Sequence, residues 1–128
     1  MQFLTMTAKS FREMTKKENK YHTQKTTVGG IEFDSKKESK RFMELQYLEK
    51  AGKIKDLQRQ VRFILQDGFI DRDGNKIRPI SYLADYYYVQ NGQKVVEDCK
   101  SPATRTQVYL VKKKMFLFRY RDIKFIET

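Results

Sequence analysis

The sequence predicts a mixed α/β (α+β) domain whose core runs helix, three strands, helix, strand, with an N-terminal hairpin and a basic arm in front. Three observations point there. Apolar residues recur at helical spacing in two segments, near 35–51 and 104–118, with strand-like runs between and after them. Asn91-Gly92 joins two of those runs as a two-residue turn, because both residues tolerate positive φ. Nine Phe and eight Tyr let a chain that is only 39% hydrophobic build its core from a few large side chains.

The 128 residues suit one domain, read here as a basic arm over 1–25 and a single domain over 26–128. The arm carries Lys9, Arg12, Lys16, Lys17, Lys20 and Lys25 against Glu13 and Glu18, and Ser10 with Glu13 has capping-box spacing. It reads either as a DNA-contacting extension or as a solvated, frayed terminus. Thr26 to Val28, Gly29-Gly30 and Ile31 to Phe33 form a tight hairpin pattern. From Ser35 to Ala51, Ser35 with Glu38 makes a capping box, Phe42, Leu45 and Leu48 share a face, and Gly52 stops the helix. Gln60 to Leu65 reads as a strand, followed by a polar loop through Asp73-Gly74. Asp71, Asp73 and Asn75 lack the glycine and the terminal glutamate of a calcium loop, so they read as a turn. Ile80 to Val89 is an aromatic strand and Lys94 to Lys100 its return, broken by Ser101-Pro102. Thr104 is then the expected cap of a helix whose core face is Val108, Val111, Met115 and Phe118, and Ile123 to Ile126 is a last strand.

Lys and Arg number 27 against 16 Asp and Glu, a net charge of +11, so the natural partner is a polyanion. A single cysteine, Cys99, rules out an internal disulfide. One histidine, His22, leaves almost no material for a His-based nucleophile or a His-rich zinc site. Carboxylates and lysines must therefore carry any catalysis. With no signal-like or membrane-length apolar segment, the expectation is a soluble protein of the cytoplasm.

If Asn91-Gly92 is a two-residue turn, Gln90 pairs with Gln93, Tyr87 with Val96, Asp85 with Asp98 and Leu83 with Lys100. Alternation then puts Asp85, Asp98 and Lys100 on one face, among Leu83, Tyr87 and Val96. Like charges directly opposite repel, more so when desolvated. A divalent cation offsets that repulsion, as does neutralisation by Lys100 and other lysines. Acid and base two residues apart in a strongly basic protein favour the cation.

Asp85, a hairpin and then Asp98-Cys99-Lys100 resemble the PD-(D/E)XK nuclease superfamily, of restriction-endonuclease-like fold. Asn19-Lys20-Tyr21, Phe33 to Glu38, Tyr82 to Asp85, Val96 to Lys100 and the Lys-rich helix after Thr106 resemble a small phage-encoded, Holliday-junction-resolvase-like branch, over about residues 19–127. The resemblance implies a Mg²⁺- or Mn²⁺-dependent endonuclease of DNA phosphodiester bonds, acting in phage recombination or replication within the host cytoplasm. It implies one or two ions held by Asp85 and Asp98, with Lys100 orienting water or meeting phosphoryl charge. An acid on the first helix also belongs to the pattern. Glu38 serves there as a ligand, its other reading being the helix cap. Ala84 and Ser101 depart from the pattern, which has proline before the first aspartate and glycine after the lysine.

Alternation sends Glu97 to the opposite face beside Tyr86, as a carboxylate supporting the site without holding the metal. Gln107 either positions substrate or water, or caps the helix with Thr104. Lys20, Lys36, Lys37, Arg105, Lys112, Lys113 and Lys114, with Arg119 and Arg121, offer phosphate contacts. Tyr86, Tyr87 and Tyr88 read as packing on both faces of a strand. No base-reading module is visible, so recognition falls to DNA shape, branched or duplex, and paired cutting implies a homodimer. The competing reading is a non-catalytic DNA-binding accessory protein of recombination or packaging.

Overall fold

The computed structural model describes residues 26–28, 31–33 and 35–128. The basic arm, and Lys20 with it, lie outside the described residues. The chain divides into two compact units, Met1–Arg41 and Phe42–Thr128.

In the first unit, β1 (Thr26–Val28) and β2 (Ile31–Phe33) pair antiparallel with Val28 opposite Ile31, the register expected of a two-residue turn. Helix α1 (Lys36–Lys50) starts in this unit and continues into the second. Ser35 Oγ accepts the backbone N–H of Glu38 at 3.1 Å, so the N-cap half of the predicted capping box is present. In the second unit, Phe42 and Leu45 are the buried side of the helix. Gly52, at φ +75°, ends it. The N–H of Gly52 bonds the carbonyl of Glu49 and that of Lys53 bonds Leu48, which satisfies carbonyls the helix leaves unpaired.

Strand β3 (Lys55–Gln66) is longer than the run the sequence marked, and it is followed by a small hairpin, β4 (Phe69–Ile70) with β5 (Lys76–Ile77). Its turn is built by Asp71, whose Oδ1 accepts the N–H groups of Asp73 and Asn75 at 2.9 and 2.7 Å. Then come β6 (Ile80–Gln90), β7 (Gln93–Asp98), α2 (Gln107–Arg119) and β8 (Ile123–Glu127). The four long strands form one sheet in the order β3-β6-β7-β8, antiparallel except for the parallel pair β7 and β8, which α2 connects. The described residues are thus mixed α and β, with the two helices that the pattern predicts and a mixed sheet.

Helix α2 corrects two expectations. Its N-cap is Thr106, whose hydroxyl accepts the N–H of Tyr109 at 3.1 Å, and not Thr104, whose hydroxyl is taken by the N–H of Ser101 at 2.8 Å. Its core face is Tyr109 and Phe116, while Val108, Val111 and Phe118 are exposed. Aromatic area decides this: Phe116 packs against Phe63, Tyr82, Tyr120 and Phe125, with ring centroids 5.0 to 5.7 Å apart, more contact than valines at helical spacing provide. Met115 packs at the margin of that cluster.

Candidate active site

The β6–β7 hairpin has the register the sequence predicts: Gln90 faces Gln93, Tyr88 faces Val95, Tyr87 faces Val96 and Tyr86 faces Glu97. The paired register ends there, one residue short of the two aspartates. This corrects the expected Asp85–Asp98 and Leu83–Lys100 pairs. Leu83 faces Arg62 on β3 and is exposed, so it does not wall the site.

The reason lies at Asp85. Tyr82 and Ala84 join the cluster that includes Tyr109 and Phe116 of α2. Tyr86 instead stacks on Phe42 of α1, and Tyr87 returns to the α2 cluster. Strict alternation would keep Ala84 and Tyr86 on one face, so the strand steps by one between them. On β3, the residue across from this step is Gln60, at φ +51°, while Val61 opposite Ala84 and Arg59 opposite Tyr86 keep the register on both sides. Asp85 sits at the step. Its Oδ2 accepts the backbone N–H of Cys99 at 2.8 Å, so a side chain replaces the ladder.

Beyond Glu97, β7 is held from its other side. Asp98 lies beside Glu127 of β8, the N–H of Thr128 bonds the Asp98 carbonyl at 3.0 Å, and that of Lys100 bonds the Thr128 carbonyl at 3.0 Å. This fixes the backbone on either side of Cys99. Asp98 is 1% exposed. Its Oδ2 accepts the hydroxyl of Tyr82, whose ring is held against Phe116 and Phe125. Its Oδ1 lies 3.0 Å from Lys100 Nζ, close enough for an ion pair but without hydrogen-bond alignment, and it accepts no hydrogen bond among the described residues. The Lys100 ammonium also stands 4.4 Å from the centre of the Tyr109 ring.

The structure therefore brings Asp85, Asp98 and Lys100 together, with two tyrosines the sequence reading did not single out. Burial, and then the charge of Asp98, push the phenols of Tyr82 and Tyr109 well above their ordinary range, with Asp85 acting in the same direction on both. Both hydroxyls stay protonated donors. That of Tyr109 is buried with no hydrogen-bond partner among the described residues. Glu127, also unforeseen, is held below the usual carboxylate range by its hydrogen bond from Lys113, with Arg105 Nε 3.1 Å away adding to the effect. Tyr82 had one sequence signal, an aromatic three residues before an expected ligand. Glu127 had none, because only the parallel pairing of β8 with β7 sets it beside Asp98.

The other expected residues fall as follows. Glu97 faces Tyr86, fully buried, and accepts the Tyr88 hydroxyl, on the opposite side of β7 from Asp98. Glu38 belongs to the first unit, in the first turn of α1, where it is buried; Lys36 and Lys37 are exposed in the same turn. Gln107 is the first residue of α2 and exposed. Lys113 and Arg105 share Glu127. Lys114 is exposed and Lys112 half-buried. Arg119 donates to the Leu65 carbonyl at 3.2 Å, and Arg121 lies over the Phe118 ring. Among the described residues, no group of three or more His, Cys, Asp or Glu is arranged to hold a metal ion. No helix of the described residues is long and apolar enough to cross a membrane.

Fold and site together define a mixed α+β protein with two aspartates and a lysine gathered where a hairpin parts from its sheet. A family model described as "Protein of unknown function (DUF1064)" matches residues 18–127, and the chain belongs to that family. No curated protein matches the chain. No solved structure matches it either.

Proposed function

We propose that this chain is a divalent-metal-dependent endonuclease that hydrolyses DNA phosphodiester bonds, acting on branched DNA in the manner of a junction resolvase. One observation carries the reading: Asp98 is a buried carboxylate with one oxygen fixed by Tyr82 and the other accepting no hydrogen bond among the described residues, beside Asp85 and within an ion pair of Lys100. Buried carboxylate oxygens ordinarily find donors. An oxygen left so, at a pair of aspartates, is the donor set Mg²⁺ or Mn²⁺ uses, because such ions take one or two carboxylates and complete their shell with water and phosphate. Asp98 and Asp85, both in the second unit, would hold the ion. A bound ion supplies Lewis-acid polarisation of the phosphate and a more acidic water.

The chain's own groups do the rest. The Cys99 N–H and the Tyr82 hydroxyl orient one oxygen of each aspartate. Lys100, on a flexible stem, reaches from Asp98 toward charge developing on a phosphoryl oxygen. The net charge of +11 holds the backbone of the polyanion, with Lys36, Lys37, Lys112 and Lys114 as contacts that would make binding fall steeply with salt. Cutting two strands of a junction symmetrically requires two such sites, hence a homodimer.

The test is cleavage of labelled four-way junction, fork, duplex and single-stranded DNA with Mg²⁺, Mn²⁺ or EDTA, by the wild type and by Asp98→Asn. Metal-dependent cutting of junction or fork, lost in the variant while binding persists, is the expected result. Binding without cutting on every substrate would overturn it in favour of an accessory DNA-binding protein, in which Lys100 merely neutralises Asp98.

A further inference from the structure

Asp98 has two oxygens in different circumstances, and the difference is made by one side chain. Tyr82 reaches Asp98 from the neighbouring strand β6, across the stretch where the β6–β7 ladder has already ended, and its hydroxyl donates to Oδ2. The tyrosine is 4% exposed and its ring is clamped by Phe116, with centroids 5.7 Å apart, and by Phe125 at 6.0 Å. Neither ring nor hydroxyl has room to follow a swinging carboxylate. Oδ1, by contrast, accepts no hydrogen bond among the described residues and has the Lys100 ammonium 3.0 Å away, out of line for one.

We propose that Tyr82 is a positioning residue for the metal site, locking Oδ2 of Asp98 so that the carboxylate offers Oδ1 alone to a divalent cation, in one fixed direction. This rests on the nuclease reading above. A carboxylate free to rotate about its last bond presents either oxygen or both, and an ion demanding near-octahedral geometry loses affinity to that disorder. Groups that hydrogen-bond a metal ligand from behind typically contribute 10- to 100-fold to metal affinity, and Tyr82 stands in that place toward Asp98.

The opposite side of the strand provides a matched control. The Tyr88 hydroxyl donates to Glu97, equally buried and next in sequence to Asp98, but facing away from it. Removing either hydroxyl takes a buried hydrogen bond from a buried carboxylate, while Tyr82 touches the proposed ligand and Tyr88 does not.

The experiment is titration of the full chain with Mn²⁺, free ion being read by its electron paramagnetic resonance signal, for wild type, Tyr82→Phe, Tyr88→Phe and Asp98→Asn. Wild type should bind, Asp98→Asn should not, Tyr82→Phe should bind roughly 10- to 100-fold more weakly and Tyr88→Phe within about twofold of wild type. In cleavage assays Tyr82→Phe should need correspondingly more Mn²⁺ and regain most of its rate at saturation, a split that a mere loss of folded protein does not give. Equal affinity of Tyr82→Phe and wild type would overturn the proposal, as would equal weakening in Tyr88→Phe, which would trace the effect to general stability. Absence of binding by wild type would instead sink the metal reading itself.

Discussion

Tyr109 and Tyr82 make a paired prediction in which the same chemical change, loss of one phenolic hydroxyl, should move stability in opposite directions. The Tyr109 hydroxyl is buried without a hydrogen-bond partner among the described residues, in a residue 6% exposed. A buried polar group left unpaired costs about 1–3 kcal/mol of desolvation with no return. Tyr109→Phe removes that cost and keeps what the ring does, since Phe fills the same space and still offers its face to the Lys100 ammonium. The expected gain is about 1–2 kcal/mol, which at an m-value of about 2 kcal/mol/M raises the urea midpoint by about 0.5–1 M. Tyr82→Phe removes a hydroxyl that donates to a buried carboxylate and leaves Asp98 Oδ2 unpaired, so it should cost about 1.5–3 kcal/mol and lower the midpoint. Urea unfolding followed by circular dichroism, with unchanged m-values, measures both. A loss of more than about 0.5 kcal/mol in Tyr109→Phe would refute the reasoning, because it would show the hydroxyl to be well bonded in the folded protein.

Two further outcomes follow from the packing and charges around the site. Phe116→Ala empties a fully buried position touched by four aromatic rings and should cost about 3–5 kcal/mol in the same unfolding assay, with the hold on Tyr82 lost as well. Glu127 is held below its ordinary value of 4.5 by Lys113 and Arg105, so near that pH the unfolded chain binds more protons than the folded one. The stability it contributes is therefore complete above the ordinary value and drains away as pH falls through the lowered one. Glu127→Gln should flatten the acid limb of a stability–pH curve below about pH 5, while leaving its slope at neutral pH alone.

What the sequence made legible was whatever local chemistry decides. Asn91-Gly92 set the hairpin register down to Tyr86 opposite Glu97, and Ser35 and Gly52 bounded α1, whereas the return strand expected to reach Lys100 ends at Asp98, with the Lys100 ammonium 3.0 Å from the Asp98 carboxylate. Helix α2 was misread because 3.6-residue periodicity picks out more than one stripe in a helix rich in apolar residues. Burial went to the stripe with the larger rings, Tyr109 and Phe116, rather than to Val108 and Val111. The step at Asp85 was invisible for a different reason. Two strands shift together there, with Gln60 taking a positive φ that its residue type does not advertise, and nothing in the alternating pattern of β6 announces it. Tyr82 and Glu127 reach the site through pairings between segments far apart in the chain, which no local pattern encodes.

That step also explains how two neighbouring carboxylates are tolerated in a folded chain. Continued as a regular ladder, β6 and β7 would have set Asp85 squarely against Asp98, the arrangement that repels most. Instead the ladder ends at Glu97, Asp85 turns to the Cys99 N–H, and Asp98 is divided between Tyr82 and Lys100. The three partners differ in what they can do next. A backbone N–H between two strands and a phenol wedged among aromatic rings are fixed by their surroundings, whereas the Lys100 ammonium sits at the end of four rotatable methylenes. The site thus has a fixed part, which aims the carboxylates, and one movable cation that compensates charge. In the nuclease reading proposed above, the group that would balance Asp98 before a phosphate binds and meet the phosphate afterwards is the one on a flexible stem, Lys100.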